Sequence, residues 1–226
     1  MPMPSNDAEH TFLFADLAGY TALTEAMGDQ DAADLAGEFC DTVRALALDH
    51  AAEAVKAIGD AVMVRGSDSA VAIRLGVRVV REVGGRHFFP TVRVGMHTGP
   101  AIERGGDWFG ASVNLAARVS GTAAGGEALL TDVTRDAAGE LDDIQLDERG
   151  RHTLKNVAEA VLLFAARPAG EHAETGLPVD PVCRMAVDPA HAAGLLNHDG
   201  VEYHFCSLDC AGRFAAAPDH YAGDAG

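Results

Sequence analysis

The stretch from Val92 to Arg118, VRVGMHTGPAIERGGDWFGASVNLAAR, constrains the chain more than any other. Val92, Val94 and Met96, then Pro100-Ala101-Ile102, read as one long strand followed by a Gly-rich turn. Gly105-Gly106 accept positive φ without a Cβ clash, which suits a tight hairpin tip. Asp107 and Gly110 follow, and a helix is predicted to begin near Ala111-Ser112. On that helix Asn114 and Arg118 are four residues apart and project from one face. An acceptor (Asp107), an amide (Asn114) and a guanidinium (Arg118) beside a Gly-rich strand-to-helix junction suit an anionic, nitrogen-containing ligand such as a nucleotide. The same residues also read as a solvated helix face that carries Asn and Arg.

Apolar residues make up 48% of the 226, enough for one mid-sized core and a small appendage. Aromatic residues are only 6%, so the core must be built largely of Val, Leu, Ala and Ile. The 34 acidic and 17 basic residues leave a net charge of −17. Without a basic patch, that charge argues against nucleic acid and anionic membrane as partners. The opening MPMPSNDAEH lacks the basic region and apolar run of a signal peptide. The apolar stretch Val71 to Val83 is broken by Arg74, Arg78 and Arg81, so no spanning helix is expected. A cytoplasmic location is the expectation.

Taken in order, residues 1–10 read as a flexible tail. Thr11 to Asp16 (TFLFAD) reads as a short buried strand. Its terminal Asp16, followed by Leu17-Ala18-Gly19, suits either a metal ligand or a helix cap. Tyr20 to Met27 and Ala32 to His50 are predicted helices, with Leu35, Phe39, Val43, Leu46 and His50 at helical spacing. Cys40 lies beside that face and reads as a small buried hydrophobe. Ala54 to Arg65 is a predicted hairpin with Gly59-Asp60 at its turn. Alone, Asp60 is an ordinary turn residue; beside Asp16 it completes the carboxylate pair that a divalent cation such as magnesium accepts. Asp68 to Val83 is a third predicted helix. After the Asn114/Arg118 helix come a strand at Glu127 to Thr131, a short helix at Asp132 to Ala138, irregular or β structure at Ile144 to Arg151, and a last strand at Ala160 to Ala166. Strands and helices alternate without βαβ regularity, which implies an α+β domain with helices on a mixed or antiparallel sheet. Residues 167–177 are polar, contain Pro and Gly, and read as a linker. Residues 178–222 form a second, small unit.

Four pieces, FADLAGYT (14–21), VKAIGDAVM (55–63), VGMHTGPA (94–101) and DWFGASVNLAAR (107–118), together make residues 11–166 resemble the catalytic domain of class III nucleotidyl cyclases. The resemblance implies a ferredoxin-like sheet with helices and a homodimer with nucleotide sites at its interface. It implies that Asp16 and Asp60, with the carbonyl of Leu17, hold two Mg²⁺ or Mn²⁺ ions, and that ATP is converted to cyclic AMP and pyrophosphate. Lys56 and Asp107 match the family's purine readers. A Lys donor and an Asp acceptor complement the ring acceptors and amino donor of adenine, and guanylate cyclases usually carry Glu in place of Lys56. Asn114 and Arg118 match the pair that orients the ribose and neutralises charge at the α-phosphate. Lys155 falls where the family places a lysine on the terminal phosphates, although Asn156 follows it in place of the usual Gly; it also reads as a plain surface lysine.

The segments DPVCRMAVDP (180–189) and GVEYHFCSLDCAGRFAAAPDHY (200–221) resemble a YHS domain, related to TRASH metal-binding modules. Cys183, Cys206 and Cys210 are spaced C-x22-C-x3-C. A unit this small gains from a metal staple, and thiolates favour soft or borderline ions such as zinc or copper. His204, His198 or Asp180 could supply a fourth ligand. The expectation is an adenylate cyclase whose metal module tunes it through the linker. A guanylate cyclase, or a non-catalytic metal-responsive signalling protein, are the alternatives.

Overall fold

The computed structural model describes residues 8–171 and 177–222. Most of the predicted tail and the middle of the predicted linker lie outside the described residues. In chain order the first unit comprises β1 (Glu9–Leu17), α1 (Tyr20–Met27), α2 (Asp29–Asp49), β2 (Glu53–Ile58), β3 (Ala61–Gly66), α3 (Ser69–Glu82) and β4 (Val92–Pro100). It continues with β5 (Ile102–Arg104), β6 (Asp107–Phe109), α4 (Ala111–Thr122), β7 (Ala128–Thr131), α5 (Asp132–Ala138), β8 (Ile144–His152) and β9 (Val161–Pro168). The second unit holds β10 (Gly194–His198), β11 (Val201–Phe205), α6 (Leu208–Ala216) and α7 (Pro218–Ala222).

Seven strands form one sheet in the order β2-β3-β1-β4-β7-β9-β8. Every pairing is antiparallel except β4 with β7. The run TFLFAD is continuously apolar because β1 is central and covered on both faces. Leu13, Ala15 and Leu17 pack with Phe39 and Val43 of α2 and Ile73 and Leu75 of α3. Phe12 and Phe14, pointing the other way, pack with Val113 and Ala116 of α4. The result is the expected α+β arrangement, a mixed sheet with helices on it. No helix among the described residues is long and apolar enough to cross a membrane.

Four elements differ from the sequence reading. Strand β1 begins at Glu9, inside the predicted tail, because Glu9 and His10 pair with Pro100 and Gly99 of β4. The strand from Val92 stops at Pro100, which lacks an N–H to extend the ladder. Ile102–Arg104 pairs instead with Asp107–Phe109 as a separate hairpin arm, and Gly105 and Gly106, at φ 62° and 77°, make its tip. Helix α2 begins at Asp29 rather than Ala32: Gly28 ends α1 and opens α2, and Asp29 and Asp31 in the first turn favour the helix's positive end. Strand β9 runs to Pro168, two residues into the stretch read as linker.

The second unit is not a free appendage. Leu23 of α1 and Ala32 of α2 share one core with Val182, Cys183, Met185, Phe205, Cys210 and Phe214. A short ladder joins the units as well. The Phe88 N–H donates to the Ala186 carbonyl at 3.0 Å, the Ala186 N–H to Phe89 at 2.9 Å, and the Thr91 N–H to Arg184 at 3.2 Å.

Candidate active site and metal cluster

The first cluster forms where three strands end together. Register places Asp16 of β1 opposite Ala61 of β3 and opposite Arg93 of β4. Asp60, in the β2–β3 turn, therefore meets Asp16. The turn needs Gly59 at φ 63°. Burial, then the Asp16 charge, raise the Asp60 carboxyl to about 6. Arg93 donates to Asp16 Oδ2 through Nε at 2.8 Å and Nη2 at 2.5 Å. Two crowded carboxylates, one of them reluctant to ionise, fit a divalent cation that would neutralise both. Leu17, the last residue of β1, is buried in the core beside them. Arg93 did not emerge from the sequence reading. Its signal was there: it is the one charged side chain in the apolar strand VRVGMH.

The second cluster lies on the hairpin arm. Lys56 Nζ of β2 meets Asp107 Oδ2 of β6 at 2.6 Å, and Asp107 Oδ1 accepts from the Trp108 N–H at 2.8 Å. The hydrogen bond from Lys56 holds the Asp107 carboxyl below the usual range. Lys56 also stands 5.7 Å from the Phe109 ring centroid. Around this pair the surface is apolar: Ile102 and Phe109 are 46% and 50% exposed, and Ile58, on the same hairpin as Lys56, is 52% exposed.

Asn114 and Arg118 sit about 40° apart on α4. The buried face of that helix is Ser112, Val113, Ala116, Val119 and Ser120. Both residues thus occupy the side turned away from their own sheet; Asn114 is exposed and Arg118 half-buried. Lys155 is exposed in the turn between β8 and β9, at the sheet edge opposite β2. Asn156 after it adopts φ 59°, so Asn takes the left-handed position that a glycine would fill. One chain therefore gathers Asp16 with Asp60, and Lys56 with Asp107, but leaves Asn114, Arg118 and Lys155 on other surfaces. The large cavity of about 830 Å³ between α3 and β8–β9, lined by Arg81, Glu127, Arg149 and Arg167, holds none of these residues.

The third cluster is in the second unit. One ligand atom each from Asp180, Cys183, Cys206 and Cys210 lie within 4.8 Å of one another. Cys183 Sγ is 3.3 Å from Cys206 Sγ, and Cys206 Sγ is 3.9 Å from Cys210 Sγ. A tetrahedral ion bonded to sulfur at about 2.3 Å spaces its thiolates roughly 3.8 Å apart, so the set fits one ion. Cys210 is drawn strongly acidic by hydrogen bonds from the other two thiols, while Cys183 and Cys206 are pushed up. Asp180, fully buried, accepts from the Val182 and Cys183 N–H groups with Oδ1 and from the Cys206 N–H with Oδ2. It clamps both cysteine-bearing turns and keeps a lone pair for an ion. Neither histidine joins the cluster: His198 bonds Asp219 at 3.1 Å and His204 faces Glu202 at 3.6 Å.

The sequence model of the Adenylate and Guanylate cyclase catalytic domain matches residues 3–165. The chain belongs to the adenylate and guanylate cyclase family. A YHS domain match follows at residues 179–225. A pH-sensitive adenylate cyclase of Mycobacterium tuberculosis is 36% identical over 169 residues, 74% of this chain and 42% of that protein. An adenylate cyclase of Streptomyces griseus is 34% identical over 110 residues, 49% of this chain and 28% of that protein. The chain thus spans less than half the length of these relatives. A Trypanosoma brucei adenylate cyclase solved in its monomeric state shares the fold, with a TM-score of 0.66 at 21% identity, covering 73% of this chain and 90% of that one. In this chain, residues 14–21 and 55–63 of the family motifs are those that bring Asp16 and Asp60 to one point.

Proposed function

We propose that the chain is an adenylate cyclase acting as a homodimer in the cytoplasm, with residues 11–166 as its catalytic domain and 178–222 as its metal module. The observation that carries this reading is the convergence of Asp16 and Asp60, beside Arg93, at the ends of β1, β3 and β4. Two Mg²⁺ or Mn²⁺ ions held by Asp16, Asp60 and the Leu17 carbonyl would supply charge for the triphosphate and acidify the ribose 3′-hydroxyl.

The chain's own residues would do the rest. Lys56 and Asp107 would exchange their mutual bond for adenine, Lys donating to a ring nitrogen and Asp accepting from the amino group. Arg93 would release Asp16 and turn to phosphate oxygens. Asn114 would orient the ribose, Arg118 would balance charge at the α-phosphate, and Lys155 would hold the terminal phosphates. The O3′–Pα bond forms as the bond from Pα to the bridging oxygen breaks. Pyrophosphate leaves with the electron pair, and the 3′-hydroxyl proton passes to water. Because Asn114 and Arg118 face away from their own sheet, a second copy would bring them to the carboxylates. The apolar surface of Ile58, Ile102 and Phe109 supports burial against that copy.

The test is cyclic nucleotide production from ATP and from GTP, with Mg²⁺ or Mn²⁺, beside Asp60→Ala. Cyclic AMP that disappears in Asp60→Ala supports the reading. Product mainly from GTP replaces it with a guanylate cyclase. No product under any condition leaves the metal module as the functional part.

A further inference from the structure

The metal cluster and the catalytic carboxylates are joined by a short, continuous path. Cys183 is followed by Arg184, whose carbonyl accepts from the Thr91 N–H at 3.2 Å. The Thr91 carbonyl in turn accepts from the Ala18 N–H at 2.8 Å. Ala18 lies two residues after Asp16, and Thr91 two residues before Arg93. One hydrogen bond on the path therefore separates a cysteine ligand from Arg93, and two separate it from Asp16.

A side-chain contact runs beside this backbone path. Gly19, at φ 77°, caps α1. A Cβ there would lie 2.5 Å from Arg184 Cγ and 3.1 Å from Arg184 Cβ. The side chain of Arg184 thus lies directly over the turn that leaves β1. Arg184 itself holds φ 66°, a conformation that costs a branched or long residue energy and that glycine adopts freely. A glycine would serve the turn between Asp180 and Met185 better. The arginine at this position instead lays its stem over Gly19.

The same interface leads to the cluster. A cavity of about 360 Å³ between the units is lined by Leu23, Ala26 and Met27 of α1, by Phe88, and by Met185 and the three cysteines. Its thioethers and thiols suit a soft ion entering from this side.

We propose that a thiophilic metal ion at Asp180, Cys183, Cys206 and Cys210 regulates the cyclase by fixing the Asp16–Gly19 turn, with Arg184 as the positioning residue that transmits its occupancy. This rests on the cyclase reading for its consequence, but not for the coupling itself. An ion bonded to both thiolates would tie the Cys183 turn to the Cys206 turn and so fix the backbone at Arg184, the residue that follows Cys183. Arg184 then holds Thr91 by its carbonyl and Gly19 by its stem, and the turn carrying the catalytic carboxylate is held with them. The covalent linker plays no part in the path.

The test uses the full reduced chain, stripped by chelation and then titrated with one equivalent of Zn²⁺. Amide hydrogen exchange is followed by mass spectrometry, and Co²⁺ serves as an absorption probe for thiolate coordination. Zinc is expected to slow exchange at least tenfold in 17–24 and 88–93 as well as in the module. Cys206→Ser should lose the cobalt–thiolate band and the protection together. Arg184→Gly should keep the band, since glycine suits φ 66°, and lose the protection in 17–24. Protection confined to the module, protection of 17–24 that persists in Cys206→Ser, or an Arg184→Gly chain that transmits like the parent would each overturn the proposal. A zinc-dependent rise in cyclase rate, lost in Arg184→Gly, is the matching kinetic result. A chain with no cyclase activity but with the expected exchange pattern would defeat the enzyme reading and leave the coupling standing.

Discussion

Arg93 on β4 stands directly across the ladder from Asp16 on β1 and grips one carboxylate oxygen with two nitrogens, at 2.8 and 2.5 Å. The guanidinium neutralises the carboxylate oxygen that a divalent ion would coordinate. It also lowers the neighbouring Asp60. Arg93→Ala should therefore tighten Mn²⁺ binding to the nucleotide-free chain by about 3- to 10-fold, because a competitor is removed. Cyclase kcat/KM should fall by roughly 10- to 100-fold, since a charge-assisted bond to phosphate contributes about 1.5–3 kcal/mol. Isothermal titration and steady-state kinetics separate the two effects. An unchanged Mn²⁺ affinity would show that the ion pair does not compete.

Asp60 and His97 oppose each other in their effect on stability with pH. His97 is buried against Thr131 Oγ1 at 2.9 Å, and burial lowers it to about 4. The unfolded chain takes up that proton below about 6.5, so stability is lost as pH falls from 6.5 towards 4. Asp60 is raised to about 6. Its contribution is complete below about 3.8 and is lost as pH rises towards 6. The metal-free chain should show little net slope between pH 4 and 6 from these two. Asp60→Asn should expose the histidine slope of about 2–3 kcal/mol over that range. Urea titrations across pH check this, and Mn²⁺ binding should tighten as pH rises through about 6.

The Lys56–Asp107 pair should matter for the base and hardly for the fold. A partly exposed ion pair contributes about 0–1 kcal/mol to stability. Lys56→Ala should leave the thermal midpoint within a few degrees of the parent and reduce the preference for ATP over GTP. A large fall in the midpoint with unchanged nucleotide preference would assign the pair to structure.

Helix α4 approaches β4 at Gly95, where a Cβ would lie 1.9 Å from the Ser120 backbone nitrogen. Gly95→Ala should push α4 away, with an overpacking cost of about 1–3 kcal/mol or more. Asn114 and Arg118 would move with the helix, so activity should fall even in the fraction that folds. Chemical denaturation gives the first quantity and kinetics corrected for active protein the second.

Metal removal should act on the whole chain. An ion at 100 times its dissociation constant stabilises by about 2.7 kcal/mol. Since α1 and the module share one core, chelation should lower the midpoint of a single transition. Two separate transitions, only one of them metal-sensitive, would contradict the shared core.

What the sequence disclosed follows from range. Helix α5 and the β2–β3 hairpin rest on local spacing and turn residues, and they stand at or near the expected positions. The break at Ala101 lies inside an apolar run that continues to Ile102, and its one local sign is the missing N–H of Pro100, which ends the ladder. Asp16 and Asp60 were legible as single residues, and their meeting depends on a register that motif order alone does not give. Arg184 over Gly19 was beyond reach. The contact joins distant stretches of chain, and nothing local marks a strained arginine whose partner has no side chain. Asp180 is one of three candidates by sequence, and the fold singles it out by placing its carboxylate within 4.8 Å of the three thiols, held there by three backbone hydrogen bonds.

The shared core has a consequence for how the chain can be divided. Leu23 and Ala32 on one side, and Phe205 and Phe214 on the other, would each be left facing water if the units parted. A chain cut between residues 171 and 177 would still behave as one molecule. The two pieces would stay associated through purification, or reassemble from separate expression, as complementing fragments.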